Sequence, residues 1–128
     1  MEEETLVLYR PVGPRDLARI HELEWRAFPP RLHYQPIFYP VLNEEYATQI
    51  ARDWNVRESG AGFVTRFELR AEFAARYEQH TVGSPVHREL WVPAEDLAEF
   101  NRNIVGRIRV VASFGAEAPD RDRSEGGT

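Results

Sequence analysis

The stretch GFVTRFELR, residues 62–70, carries the clearest strand pattern in the chain. Aromatic, β-branched or aliphatic residues occupy every second position, and this two-residue period is typical of a β-strand whose two faces differ. One face holds Phe63, Thr65, Phe67 and Leu69, and the other holds Val64, Arg66 and Glu68. A turn at residues 59–62 precedes the strand, and a short helical piece at 71–77 is predicted to follow it.

The segment before that turn, residues 43–55, predicts the most regular helix. Asn43 is a good N-cap, and two glutamates follow it in the first turn, where the helix dipole favours negative charge. Apolar residues then recur at helical spacing: Tyr46, Ala47, Ile50, Ala51 and Trp54. We therefore expect Ile50 and Trp54 to lie in the core.

The remaining elements alternate without the regular spacing of βαβ units. Further strands are predicted at residues 5–10, 37–39, 87–92 and 107–114, and further helices at 14–27 and from Pro93 to a stop at Gly106. This order favours a single α+β domain over residues 1–114, with about three helices and a mixed or largely antiparallel sheet. Residues 115–128 are small and charged, which predicts a disordered acidic tail.

The residue types that are missing exclude several kinds of chemistry. The chain has no Cys, and all 16 basic residues are Arg. Thiol catalysis, Cys-type metal sites, Schiff-base lysines and the P-loop lysine are therefore excluded. The four histidines, His21, His33, His80 and His87, lack the spacing that places two ligands on one helix face, so no metal site is predicted.

The net charge of −5 comes from the two ends of the chain, and residues 5–114 are neutral. A neutral body argues against general nucleic-acid binding and against binding to anionic membranes, because both need an excess of basic residues. No stretch is apolar enough for a membrane span. The N-terminal Met-Glu-Glu-Glu has the wrong charge for a signal peptide, so we expect a cytoplasmic protein.

One predicted strand, HRELWV at residues 87–92, carries side chains that could bind a ligand or take part in catalysis. Alternation puts His87, Glu89 and Trp91 on one face and the apolar Leu90 and Val92 on the other. A carboxylate on such a face needs a partner. Either an arginine, Arg10 or Arg66, forms a buried ion pair with Glu89, or Glu89 stabilises positive charge on a sugar ring during glycosidic cleavage.

A second candidate is the aromatic run between residues 31 and 40. Tyr34, Phe38 and Tyr39 stand among prolines in a predicted loop. Their rings either line a pocket for a flat ligand by stacking or cover the core as a lid.

The chain also resembles known proteins through a series of strings: LYRPVGPRDL, AFPPRL, QPIFYPVLNEEYATQIARDWN, GFVTRFELR and ELWVPAEDLAEFNRNIVG. Over residues 6–114 these are similar to a small bacterial family of uncharacterised proteins that carries ADP-ribosylation or crystallin labels. More loosely, the chain resembles ADP-ribosyltransferase-like domains. Those are α+β folds with an Arg or His in the first core strand, a Tyr or Ser/Thr in the middle and a catalytic Glu in a late strand.

The resemblance implies a role for each matching residue. Arg10 in LYR would contact the ribose or phosphates of NAD, Tyr46 in EEYA would pack against the nicotinamide, and Glu89 in RELWVP would be the catalytic residue. The full NAD-binding set predicted here is Arg10, Tyr46, Tyr34, Phe38, Tyr39 and His87. NAD would be the substrate of ADP-ribose transfer or of nicotinamide cleavage.

The same fold without the chemistry is the alternative: a non-catalytic interaction or accessory module that binds a protein partner. The chain lacks the Ser-Thr-Ser string of the transferases, and His87 stands where a second acidic residue would precede Glu89. An enzyme requires Arg10 and Glu89 to face one open cleft. In a module the two would be paired with each other and sealed off from solvent.

Overall fold

In the computed structural model, which describes residues 4–85 and 87–115, strands and short helices alternate along the chain. Within those residues the elements are β1 (Thr5–Val12), α1 (Pro14–Glu22), β2 (Ile37–Phe38), α2 (Glu44–Ile50), α3 (Val56–Ser59), β3 (Gly62–Arg70), α4 (Ala71–Ala74), β4 (Gln79–Thr81), β5 (Arg88–Leu90), β6 (Val92–Pro93), α5 (Leu97–Arg102) and β7 (Ile104–Phe114). A π-helical segment, Ala51–Asn55, joins α2 to α3, and a 3₁₀ turn, Ala94–Asp96, leads into α5.

The three long strands form an antiparallel sheet in the order β1-β3-β7. Leu8 of β1 pairs with Phe67 of β3, and Arg10 pairs with Thr65. Two register shifts interrupt the pairing of β3 with β7. β2 and β6, and β4 and β5, form further antiparallel pairs. The chain is thus a single small α+β domain with antiparallel sheets, as predicted, but within the described residues it has about four helices where about three were predicted.

A single residue, Val41, extends the sheet from β1 to β5. Its N–H donates to the Tyr9 carbonyl at 2.8 Å, and its carbonyl accepts from the Tyr9 N–H at 2.9 Å. On its other side, residues 40 and 42 bond to β5, because the Leu90 N–H donates to Pro40 and the Leu42 N–H to Arg88, both at 2.9 Å. Tyr9, Val41 and Glu89 therefore lie side by side on three adjacent stretches of backbone.

The core lies on both faces of this sheet. The larger cluster contains interlocking phenylalanine rings: Phe28, Phe38, Phe67, Phe73 and Phe100. Val64, on the opposite face of β3, belongs to a smaller cluster with Val41, Ala47 and Ala51. The predicted alternation of β3 is therefore present, with apolar packing on both faces.

The prediction that Trp54 lies in the core is wrong, because the helix over residues 44–59 is not α-helical throughout. The π-helical segment holds more residues per turn, so the apolar stripe that includes Ala47 and Ala51 does not continue to Trp54, which is 54% exposed. Gly62 packs against this segment so closely that an added Cβ would lie 2.2 Å from the Ala51 carbonyl oxygen. Ile50 is half-buried.

The first helix ends earlier than predicted, at Glu22 instead of residue 27. Glu24 and Trp25 both have positive φ, at 61° and 63°, which ends the helix. The turn brings the Trp25 carbonyl to β7, where it accepts the Ile108 N–H at 2.7 Å. Contact with a distant strand thus determines where this helix ends.

Other boundaries also differ. The predicted strand at 87–92 divides into β5 and β6, which pair with different strands. β4 had no counterpart in the prediction, and Gly106 lies inside β7 with φ of 78°, not at a helix stop. Of the predicted tail, residues 116–128 lie outside the described residues. The helices in residues 4–85 and 87–115 all lack the length and the continuous apolar sequence of a membrane-spanning helix.

Candidate functional site

A cleft of about 550 Å³ opens where the sheet separates beside β1. The Tyr9 backbone forms hydrogen bonds with Val41. The nitrogen of Pro11 lies on the same side of β1, but it carries no N–H, so the hydrogen bonds between these two stretches of backbone stop there. The side chains used below line this gap: Arg10, Arg31, Tyr39, Trp54, Glu89 and Trp91. Arg10 and Glu89, predicted from distant parts of the sequence, therefore line one cleft.

Glu89 is buried, with 8% of its surface exposed, and both of its carboxylate oxygens are held by neutral donors. The Tyr46 hydroxyl donates to Oε1 at 3.1 Å, and the Trp91 indole Nε1 donates to Oε2 at 2.8 Å. Neither Arg10 nor Arg66 forms an ion pair with Glu89, and Arg66 is instead 3.9 Å from Glu68. The predicted buried ion pair is therefore wrong.

Tyr46 stands behind Glu89 and fixes its orientation. The Asn43 side chain caps α2 as predicted, accepting from the Tyr46 N–H at 2.7 Å. The Tyr46 ring stacks on His87 at 4.3 Å, and His87 Nε2 lies 2.9 Å from the Gln49 side-chain oxygen. Burial, followed by the charge and hydrogen bond of Glu89, raises the pKa of Tyr46 to about 12. Tyr46 is therefore a protonated donor at neutral pH.

Trp91 holds the carboxylate from the other side. Its ring stacks on His80 at 4.0 Å and meets Tyr39 edge-on at 6.0 Å. Trp91 and Tyr39 are 44% and 40% exposed, so both rings have free surface at the cleft.

Arg10 is the positive group of the cleft. Its guanidinium lies 4.6 Å from the centre of the Phe38 ring, and its backbone carbonyl accepts from the buried Thr65 hydroxyl at 2.7 Å. Burial, assisted by the charge of Arg31 and opposed by Asp16, lowers the pKa of Arg10 to about 10. Arg10 therefore stays charged at neutral pH.

Arg31 lies over the same Phe38 ring at 5.7 Å. Its Nη2 donates to the Ile37 carbonyl at 3.3 Å, while its Nε is buried without a hydrogen-bond partner. Two positive side chains thus share one aromatic ring.

The other predicted site residues occupy different places. Tyr39 lines the cleft, but Phe38 is 1% exposed and belongs to the core beneath the arginines. Tyr34 is 67% exposed and lines a neighbouring depression. Tyr46 and His87 are not among the residues that line the cleft, and they support Glu89 from behind.

Three of the cleft residues named above, Arg31, Trp54 and Trp91, were not among the predicted site residues, although Trp91 was placed on the same strand face as Glu89. Arg31 follows two prolines in the AFPPRL string, and only its position in the folded loop brings it to Arg10. Trp54 was assigned to the core because its spacing is helical. Among the described residues, no group of three or more His, Asp or Glu side chains is arranged to hold a metal ion.

Compared with known proteins, the chain matches no family model, no curated protein and no solved structure.

Proposed function

We propose that the cleft binds NAD as a substrate and that Glu89 assists cleavage of the bond between nicotinamide and ribose, with ADP-ribose passing to an acceptor or to water. The observation that carries this proposal is that Arg10 and Glu89 line one open cleft and are not paired with each other. Opposite charges that are held apart in this way are suited to a ligand with a phosphate at one end and a developing cation at the other.

Arg10 and Arg31 are the groups for the phosphates. A guanidinium offers a planar set of donors that matches phosphate oxygens, and two of them lie close together over Phe38. In water-poor surroundings such charge-assisted bonds are stronger than at an open surface. A diphosphate bound here would also neutralise the repulsion between the two arginines.

The exposed rings of Tyr39 and Trp91 are the groups for the nicotinamide. They meet edge-on beside Glu89, so a flat ring packed on either one would lie close to the carboxylate. The resemblance assigned this packing role to Tyr46. We assign it to Tyr39 and Trp91, because Tyr46 does not line the cleft.

Glu89 would act on the ribose. When the C–N bond breaks, its electron pair leaves with the nicotinamide, and positive charge develops on the ribose carbon and ring oxygen. A fixed carboxylate stabilises that charge, and Tyr46 and Trp91 hold it without neutralising it. The acceptor oxygen then bonds to the ribose carbon and releases its proton to solvent.

One observation favours the alternative, a non-catalytic module. Each carboxylate oxygen of Glu89 already has a donor, and the Tyr46–His87–Gln49 contacts behind it form a connected polar network. Networks of this kind specify a single packing in many cores. In a module of this type Glu89 would only hold β5 against α2.

The test compares wild-type protein with Arg10→Gln and with Arg107→Gln, an exposed arginine on β7 outside the cleft. We expect NAD and ADP-ribose to raise the melting temperature of the wild type, and nicotinamide release to be measurable by chromatography. Loss of one charged hydrogen bond should weaken NAD binding of Arg10→Gln by about 10- to 100-fold. Arg107→Gln should bind as the wild type does.

The opposite result favours the module. If NAD, ADP-ribose and nicotinamide leave the melting temperature unchanged, and no nicotinamide appears with any acceptor tested, the enzymatic proposal is wrong.

A further inference from the structure

A second depression, of about 400 Å³, lies next to the cleft and shares a wall with it. The shared residues include Arg10, Asp16, Arg31 and Gln35. Its other sides come from α1 and from the loop at residues 28–35. A group bound there would therefore be within reach of the same arginines as a ligand in the cleft.

The charge of this depression is strongly one-sided. Four arginines line it, Arg10, Arg15, Arg19 and Arg31, and Asp16 is the acidic residue among the side chains that do so. Arg15 and Arg19 are four residues apart on α1, so their side chains project from the same face of that helix. Like charges at this spacing destabilise a helix unless an anion lies between them.

Arg31 adds to the excess of positive charge in this depression. Its Nε is buried and has no hydrogen-bond partner, although a buried donor normally has one. Burial lowers the pKa of Arg31, and Asp16 opposes that effect. One carboxylate, that of Asp16, thus stands among four guanidiniums, and an oxyanion bound in the depression would balance their charge.

The rim of the depression adds aromatic surface. His33 and Tyr34 meet edge-on at 5.3 Å, and Tyr34 is 67% exposed. Rings beside a set of arginines are suited to a phosphate that carries a flat group, such as a nucleoside.

We infer that this second depression binds a phosphate group through Arg15, Arg19 and Arg31. Phosphate is favoured over a carboxylate because its additional oxygens can accept from three guanidiniums at once. The phosphate would belong either to the dinucleotide in the cleft or to a separate phosphorylated molecule. The first source rests on the proposed function, whereas phosphate binding itself does not.

The test measures binding of pyrophosphate and of adenosine monophosphate to the full chain by calorimetry. The double variant Arg15→Gln/Arg19→Gln removes two exposed arginines from the depression. Arg107→Gln/Arg109→Gln removes the same charge from β7, outside both the depression and the cleft. We expect the first variant to bind pyrophosphate about 10-fold or more weakly, and the second to bind it as the wild type does.

Two further arms identify the source and separate this inference from the proposed function. If saturating NAD blocks pyrophosphate binding, the phosphate belongs to the dinucleotide, and if both bind together, it belongs to a second molecule. Glu89→Gln should retain full pyrophosphate affinity even where nicotinamide release is lost. The inference is overturned if the wild type binds no pyrophosphate, or if both double variants weaken binding equally.

Discussion

Replacing Glu89 with Gln separates the catalytic and structural roles of its carboxylate. The substitution keeps the shape and removes the charge. Trp91 Nε1 can only donate, so the Gln oxygen must face it, and the new NH₂ group then faces Tyr46. The Tyr46 hydroxyl accepts as well as donates, and it has only to turn its proton away. Both neighbours keep a partner, so the fold should tolerate the change.

The size of the effect follows from these two bonds. A hydrogen bond to a charged group contributes about 1.5–3 kcal/mol, and one between neutral groups contributes about 0.5–1.5 kcal/mol. Each bond that changes from charged to neutral thus loses about 1–1.5 kcal/mol, so the two together should lower the free energy of unfolding by about 2–3 kcal/mol. A buried Glu–Arg pair would have lost about 3–5 kcal/mol instead. Glu89→Ala, which removes both acceptors, should be less stable than Glu89→Gln.

The assay is urea unfolding of the wild type, Glu89→Gln and Glu89→Ala, with nicotinamide release measured on the same preparations. We expect Glu89→Gln to retain its fold and to release nicotinamide about 10²- to 10³-fold more slowly, the usual loss when one electrostatic contact to a transition state is removed. Unchanged release by a folded Glu89→Gln would refute the catalytic role. A loss of stability as large as that of a broken ion pair would refute the assignment of neutral partners.

Four other substitutions test the fold around the cleft and in the core. Trp54→Ala should lower the free energy of unfolding by about 1–2 kcal/mol, because roughly half of this residue is buried, while Phe100→Ala in the core should lower it by about 3–5 kcal/mol. Urea titration checks both, and a loss for Trp54→Ala as large as that for Phe100→Ala would mean that the ring lies in the core. Gly62→Ala should melt at a much lower temperature, because its Cβ would clash with the Ala51 carbonyl; a melt equal to that of the wild type would contradict this close approach. Tyr46 has a higher pKa in the folded state, about 12, than when unfolded, so its stabilising effect is full below about pH 10 and is lost as the pH rises to about 12. Between these pH values the free energy of unfolding should fall less steeply for Tyr46→Phe than for the wild type. Equal slopes would mean that the pKa of Tyr46 is not raised.

Local signals predicted those parts of the fold that depend on neighbours in the sequence. The alternation at residues 62–70 identified β3, and Asn43 identified the start of α2, where its side chain caps the Tyr46 N–H at 2.7 Å. Both features are made by residues close together in the chain. A single sequence shows them directly.

Contacts between distant residues determined the parts that could not be predicted. Nothing in the sequence around Trp54 indicates a π-helical segment, which lies where Gly62 of β3 approaches Ala51. The early end of α1 depends on the bond between Ile108 and Trp25. Helical spacing alone therefore predicted a buried side chain for Trp54, which is half exposed.

The candidate site follows the same division. The strand pattern suggested a chemical role for Glu89 and the resemblance suggested one for Arg10, but only the pairing through Val41 places them beside one cleft. The partners of Glu89 could not be predicted, because Tyr46 reaches it from a helix more than 40 positions earlier in the chain. Sequence reasoning also looked for a charged partner, while the fold supplied two neutral donors.

The arrangement of Arg10 and Arg31 carries an argument that stands apart from any resemblance. Both guanidiniums lie over Phe38, each lacks an ion pair within the described residues, and each has a pKa lowered by burial. Holding two such charges together costs folding free energy that an apolar pair would not. Destabilising clusters of charge are typical of ligand-binding sites, because proteins commonly give up some stability where binding requires such groups. An anion between the two arginines would remove the cost, and this is why phosphate binding is the property of the molecule to test first.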